Sequence, residues 1–249
     1  MTESLRIGVI GAGVMGAAIA QVTATAGYDT VCFDTDPGAL ERALIHVTTG
    51  RYGVDRGVER QKLTRAEADD AIARLTFTST LADAANVDLV VEAVPEQLEL
   101  KQQVFRDLDA AAPPTTILAS NTSGFPIAQL AGVTGRPELV VGWHWASPPV
   151  VMRLAEIVRS EHTNDATVQT VVDVALACDK NPVVVIDAPS GAWGFVANRV
   201  YGAMLREARA VVEEGVATPE QVDTLMVDCF RWPVGPYGMM QGATTGWGQ

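Results

Sequence analysis

Histidine and cysteine are scarce in this chain, three of each in 249 residues, and cations are outnumbered: 18 Lys and Arg against 30 Asp and Glu, a net charge of −12. So acidic a chain is a poor partner for nucleic acid or an anionic membrane surface. Cys32, Cys178 and Cys229 lie far apart and form neither a C-x-x-C pair nor an even disulfide framework. They read as small apolar fillers in a reducing, cytoplasmic setting. No uninterrupted apolar run approaches the roughly 18 residues that suggest a membrane span. The N-terminus MTESLRIGVIGAG shows no basic segment, apolar region and cleavage site of a secretory signal. No metal site is expected. What abounds is apolar chain, 48% of residues, enough for one large domain or one with a small partner.

The first fifty residues carry the strongest local signal. LRIGVIG has the character of a strand buried on both faces. It runs into GAGVMG, which sets Gly11, Gly13 and Gly16 in G-x-G-x-x-G spacing, then into the helical AAIAQVTATAG. A second strand, DTVCFD, ends at Asp34. In this order each part has a task at a dinucleotide: Gly11 makes the turn, Gly13 lets the backbone approach a pyrophosphate, and Gly16 lets helix and strand pack closely. The helix N-terminus offers free N–H groups and a positive dipole end to the phosphates. Asp34 suits the ribose hydroxyls and repels a 2′-phosphate, and Thr35 brings no arginine to welcome one. NAD is therefore expected rather than NADP.

Apolar runs then alternate with helical patterns. Residues 75–79, 88–94, 115–121, 138–145, 154–158 and 182–187 read as strands, and 97–111 and 163–180 as helices. This predicts an α/β fold with a Rossmann-type, mostly parallel sheet covered on both faces. Residues 38–72 interrupt the alternation and read as a projecting hairpin of two helices joined near Leu63–Thr64, carrying Arg51, Arg56, Arg60 and Lys62. It is either a solvated surface or a basic face for a phosphorylated substrate carrier, with Arg56 and Arg60 as the candidate contacts. After Asp187 the character changes to a loop, a long helix over 195–215, and a capped helix start at Thr218-Pro219-Glu220-Gln221. The expected domains are 1–187 and a small all-helical 188–249.

One stretch raises a chemical question: GWHWASPPVVMRLAEIV places His144 twelve residues before Glu156 with mostly apolar chain between. A lone histidine among apolar residues is ordinarily a neutral imidazole satisfied by a carbonyl. Alternatively it is a general base oriented by a carboxylate. Ligands of parallel sheets bind at the carboxyl ends of the strands, where His144, Ser120–Ser123 and Glu92–Glu96 all fall.

The motifs IGVIGAGVMG, VEAVPEQLELK, SNTSG, GWHWASPP followed by RLAEIV, GFVANR and WPVGPYGM occur in that order. In these the chain resembles the L-3-hydroxyacyl-CoA dehydrogenases over nearly its whole length. The resemblance implies a two-domain enzyme, expected as a homodimer, that oxidises a 3-hydroxyacyl thioester, on coenzyme A or a carrier protein, with NAD, or runs the reverse reduction. It implies His144 as general base, Glu156 as its partner, and Ser123 and Asn198 beside the reacting oxygen. It implies cofactor contacts at Gly11, Gly13, Val14, Met15 and Gly16, and at Asp34, Ala93, Glu96, Lys101, Ser123 and Ser147. The chemistry wants the same types, because hydride leaves C3 only as the C3 hydroxyl loses its proton to a base.

Departures from the family pattern matter as well. Ser147 stands where an asparagine is usual, and is shorter and lacks the amide donor. The usual D-x-P-G-F loop is expanded to DAPSGAWGF, adding four residues and bringing in Trp193; with Trp143 and Trp145 nearby this is expected to narrow an acyl pocket. The family's helical domain continues well past the point where this sequence ends, 13 residues after Pro236, implying a truncated chain or a reduced second domain and dimer interface. Other readings are a dehydrogenase of a carrier-protein-bound or free hydroxy acid, and a cofactor-binding protein without turnover.

Overall fold

The first apolar run becomes strand β1 (Arg6–Ile10), and its glycine-rich continuation opens helix α1 (Val14–Thr25). The structure, a computed structural model, describes residues 5–189 and 193–245. Ser190, Gly191 and Ala192 of the expanded loop, and the tail from residue 246, lie outside the described residues. Two compact units divide the chain, Met1–Phe195 and Val196–Gln249.

In the first unit the chain continues through β2 (Asp29–Phe33), α2 (Pro37–Thr48), α3 (Val54–Glu59), α4 (Arg65–Ala73) and β3 (Leu75–Thr78). Then come α5 (Leu81–Ala85), β4 (Leu89–Glu92), α6 (Leu98–Ala111), β5 (Ile117–Ser120) and α7 (Ile127–Ala131). The unit closes with β6 (Val140–Trp145), β7 (Leu154–Arg159), α8 (Asp165–Ala177) and β8 (Asn181–Ile186). The eight strands form one sheet in the order β3-β2-β1-β4-β5-β6-β7-β8. Neighbours run parallel except β6 and β7, which are antiparallel. The order reverses at β1, between β2 and β4, so the glycine loop sits at the crevice where such sheets bind ligands.

Both faces of the sheet carry apolar layers. One gathers Ile7, Val9, Trp143 and Ile157 with Ile19 of α1 and Val171 of α8. The other gathers Ile10, Val90 and Leu118 with Phe105 and Leu108 of α6 and Leu130 of α7. In α6 the buried positions are Lys101, Phe105 and Leu108, spaced as one helix face. Full burial of Phe105 and Leu108 contributes about 1.5–3 kcal/mol each. The same periodicity carries Lys101 inward.

The segment after Asp36 holds three helices where two were expected. The chain breaks at Gly50–Gly53, where a side chain on Gly50 would meet the His46 backbone at 2.4 Å and one on Gly53 the Thr48 carbonyl at 2.4 Å. Such close backbone approach needs glycine and separates α2 from α3. The second junction falls at Thr64, which caps α4 in a reciprocal capping box with Glu67.

The second unit comprises α9 (Val196–Glu213), α10 (Pro219–Phe230) and α11 (Pro236–Thr245). Thr218 and Gln221 form a capping box, with Pro219 in the first turn. Asp223 accepts from the Tyr237 and Gly238 N–H groups at 2.8 Å each, tying α10 to the start of α11. Among the described residues no helix is long and apolar enough to cross a membrane.

Candidate active site

The turn between β1 and α1 is built for close approach. Gly11 has φ +101°, and a side chain on Gly16 would lie 1.7 Å from the Gly11 carbonyl oxygen, so helix and strand pack backbone against backbone. Gly13, by contrast, faces open space, and no side chain caps α1 there. An uncapped helix start with room in front of it fits a dinucleotide pyrophosphate. Val14 is exposed and Met15 half-buried at this first turn. At the end of β2, Asp34 accepts from the Ala12 N–H at 2.8 Å and the Asp36 N–H at 2.9 Å. It thus braces the loop while retaining lone pairs for ribose hydroxyls. Ala93, just past β4, donates its N–H to Ile10 at 2.8 Å and backs onto Gly11.

Lys101 is only 1% exposed. Its ammonium meets Glu92 at 2.7 Å, Glu96 at 3.1 Å and the Val94 carbonyl at 3.2 Å, which engages its three donors. Glu92 also accepts from Ser120 at 2.6 Å and from the Val94 N–H at 2.7 Å. Burial pushes the Glu92 carboxyl up from its ordinary value, against the pull of Lys101, Ser120 and Val94. Glu96 reaches on to the next loop, accepting from the Thr122 hydroxyl at 2.5 Å and the Ser123 N–H at 2.9 Å. Lys101 therefore acts on Ser123 through Glu96.

On the adjacent strands His144 and Glu156 stand directly opposite in register. Nδ1 of His144 lies 2.7 Å from Oε2 of Glu156, and the residues are 6% and 2% exposed. With Nδ1–H donated to the carboxylate, Nε2 holds the free lone pair and is the nitrogen available as a base. A backbone carbonyl is not what satisfies this ring nitrogen. Asn121 accepts from the Trp145 N–H at 3.0 Å, joining the Ser123 loop to the end of the His144 strand. Phe195 packs beside the imidazole, ring centroids 6.1 Å apart.

Strand alternation corrects one expectation. Trp143 and Trp145 belong to the layer with α1 and α8, whereas Phe195, the neighbour of His144, belongs to the other layer. Those two indoles cannot narrow a pocket at His144. Trp193 remains, and packs on Phe125. Ser147 is exposed on the loop after β6, and Asn198 is exposed in the first turn of α9 in the second unit. Arg56 is exposed and paired with Glu59; Arg60, Lys62 and Arg51 are exposed, with Arg51 over the Tyr52 ring. Cys32 and Cys178 are buried, which pushes both thiols up to about 12 and leaves them inert. Glu92 and Asn121 fall within the strand-end segments expected to line the site, whereas Phe195 is a site neighbour that the sequence did not single out.

Comparison with known proteins gives one family along the whole chain. Residues 6–188 match the model described as 3-hydroxyacyl-CoA dehydrogenase, NAD binding domain, and residues 194–249 match the 3-hydroxyacyl-CoA dehydrogenase, C-terminal domain. The chain is 40% identical over 237 residues to a probable 3-hydroxybutyryl-CoA dehydrogenase of Bacillus subtilis (strain 168), spanning 95% of this chain and 80% of that one. It is 38% identical over 231 residues to the 5-formyl-3-hydroxy-2-methylpyridine 4-carboxylate 5-dehydrogenase of Mesorhizobium japonicum, spanning 92% and 70%. The crystal structure of (S)-3-hydroxybutyryl-CoA dehydrogenase from Ralstonia eutropha superposes with a TM-score of 0.88 at 35% identity, over 94% of this chain and 80% of that one.

Proposed function

Because the chain belongs to the 3-hydroxyacyl-CoA dehydrogenase family, an NAD-dependent oxidoreductase family acting on CH–OH, we propose that it interconverts a 3-hydroxyacyl-CoA and its 3-ketoacyl form with His144 as general base. The observation carrying this reading is the buried His144–Glu156 pair, 2.7 Å apart. NAD, when bound, would supply the acceptor for the hydride that leaves C3. Nε2 of His144 takes the proton of the C3 hydroxyl as the hydride leaves, and returns it in the reduction. Glu156 fixes the imidazole tautomer and stabilises the imidazolium, most effectively in a site with little water. Ser123 and Asn198 are the groups that donate to or accept from the substrate oxygens without ionising.

For the cofactor, the uncapped α1 terminus with Gly11, Gly13, Val14, Met15 and Gly16 would hold the pyrophosphate, and Asp34 the ribose. Ala93, Glu96, Ser123 and Ser147 flank the remainder, with Lys101 behind Glu96. The domain division near residue 188 is supported by the two family matches, which end at 188 and resume at 194. We read the protein as cytoplasmic, consistent with its three free cysteines. We read it as a homodimer, consistent with the exposure of Val200, Leu225 and Phe230 in its helical unit.

A second reading, a free hydroxy or keto acid as substrate, is favoured by the pairing of Arg56 with Glu59, which occupies one candidate phosphate contact. The Mesorhizobium relative, whose name specifies a pyridine carboxylate, points the same way. NADH oxidation measured against 3-ketoacyl-CoAs, their carrier-protein thioesters and free keto acids separates these. Turnover of the CoA thioesters is expected. Turnover of free acids alone contradicts the coenzyme A reading, and tight NADH binding with no turnover of any contradicts the enzyme.

A further inference from the structure

Trp193 belongs to the part of the loop that has no counterpart in the D-x-P-G-F pattern, and its surroundings connect it to the reacting end of the site. Its indole meets Phe125 edge-to-face, with centroids 5.2 Å apart and planes at 86°. The main chain that carries it lies directly on Gly124, the residue after Ser123. A side chain at Gly124 would come within 2.4 Å of the Gly194 nitrogen and 2.8 Å of Cδ2 of Trp193. Gly194 also donates its N–H to the Gly124 carbonyl at 3.4 Å. Two residues past the indole, Phe195 is 3% exposed and packs beside His144. The stretch 193–195 therefore runs from the Ser123 loop to the catalytic imidazole.

Within this short wall the two aromatics differ. Phe195 is spent in the core, whereas Trp193 remains 55% exposed although its edge is fixed by Phe125. A large, oriented and half-uncovered indole beside a catalytic loop has apolar surface available for a ligand. It also fills volume that a smaller residue would leave open. Trp143 and Trp145 lie in the opposite layer, so among the described residues of the first unit Trp193 is the indole on this side of the sheet.

We propose that Trp193 is a specificity-determining residue: it closes the acyl end of the site beside Ser123 and makes the enzyme select short 3-ketoacyl chains. This rests on the reading above, in which Ser123 and His144 meet the C3 oxygen, so that carbons beyond C3 start from the space this wall borders. The first acyl carbons rest against the indole. A longer chain must displace it, and pocket discrimination of even one methylene is worth about tenfold or more.

The test compares kcat/KM for acetoacetyl-CoA and 3-ketodecanoyl-CoA in the wild type, Trp193→Ala and Trp193→Phe, with the NADH Kd of each as the control for folding. The wild type is expected to favour acetoacetyl-CoA. Trp193→Ala should raise the decanoyl-to-acetoacetyl ratio by at least about tenfold, with Trp193→Phe intermediate and the NADH Kd unchanged. Should Trp193→Ala lose NADH binding, Trp193→Phe alone must still raise the ratio. An unchanged ratio, or a wild type with no preference for acetoacetyl-CoA, overturns the role of Trp193 while leaving the dehydrogenase reading intact. A wild type that reduces no 3-ketoacyl-CoA overturns both, and the wild-type arm alone reveals it.

Discussion

Replacing Glu156 with glutamine isolates what the carboxylate does, because the side chain keeps its shape and loses only its charge. The carboxylate oxygen sits 2.7 Å from Nδ1 of His144, and both residues are nearly sealed from solvent. A charge-assisted hydrogen bond contributes about 1.5–3 kcal/mol and a neutral one about 0.5–1.5. The difference, about 1–2 kcal/mol, falls mainly on the state with a charged imidazole, so kcat drops roughly 5- to 30-fold at about 1.4 kcal/mol per decade. The amide can also turn its NH2 toward Nδ1, which puts the ring proton on Nε2 and removes the base. That second effect takes the loss toward about 10²-fold or beyond. The assay is the initial rate of NADH oxidation at saturating acetoacetyl-CoA, beside NADH affinity by fluorescence. Affinity should not move. In the double variant with His144→Ala, the Glu156→Gln substitution should cost almost nothing further, since its effect runs through the imidazole. Undiminished kcat, or two losses that simply add, refutes the pairing.

Two other perturbations follow from the cofactor side. Lys101→Met strands the buried Glu92 and should cost about 3–5 kcal/mol in denaturant unfolding; it should also lower kcat by loosening the Ser123 loop through Glu96. The lost cation raises the already elevated Glu92 carboxyl further, so the folded variant holds a proton that the unfolded chain releases. Its stability should therefore fall as pH rises above the ordinary carboxylate range, more steeply than that of the wild type; a flat profile would argue that Glu92 stays ionised. Asp34→Ala combined with Thr35→Arg should shift preference from NADH toward NADPH by removing repulsion and adding a phosphate partner, and equal wild-type kcat/KM for the two cofactors would deny Asp34 that role.

The parts of the site that were legible in the sequence are those with local signals. Strand, glycine turn, helix, strand and Asp34 follow one another within 34 residues, so chemistry and topology could be read together. The His144–Glu156 pair was legible because an antiparallel turn back of twelve residues sets both on neighbouring strands. The Glu92–Lys101 pair was not recognised, although its signal was present: Lys101, Phe105 and Leu108 share one face of α6, and a lysine on an apolar face needs a buried acid. The misplacement of Trp143 and Trp145 had a similar cause, since a period of two sends them away from His144. The break between α2 and α3 depends on backbone contacts of Gly50 and Gly53, which no hydrophobic period reveals. The short α5 and α7, and the start of α11 held by Asp223, depend likewise on tertiary partners.

In the proposed reaction His144 moves the proton during NAD-dependent 3-ketoacyl-CoA reduction. The most direct measurement is single-turnover NADH oxidation by the wild type and His144→Ala, each saturated with acetoacetyl-CoA, alongside the NADH Kd of both. Rapid oxidation by the wild type is expected, with a rate lower by at least about 10²-fold in the variant and equal Kd values. A variant that oxidises NADH at near the wild-type rate would contradict that role for His144.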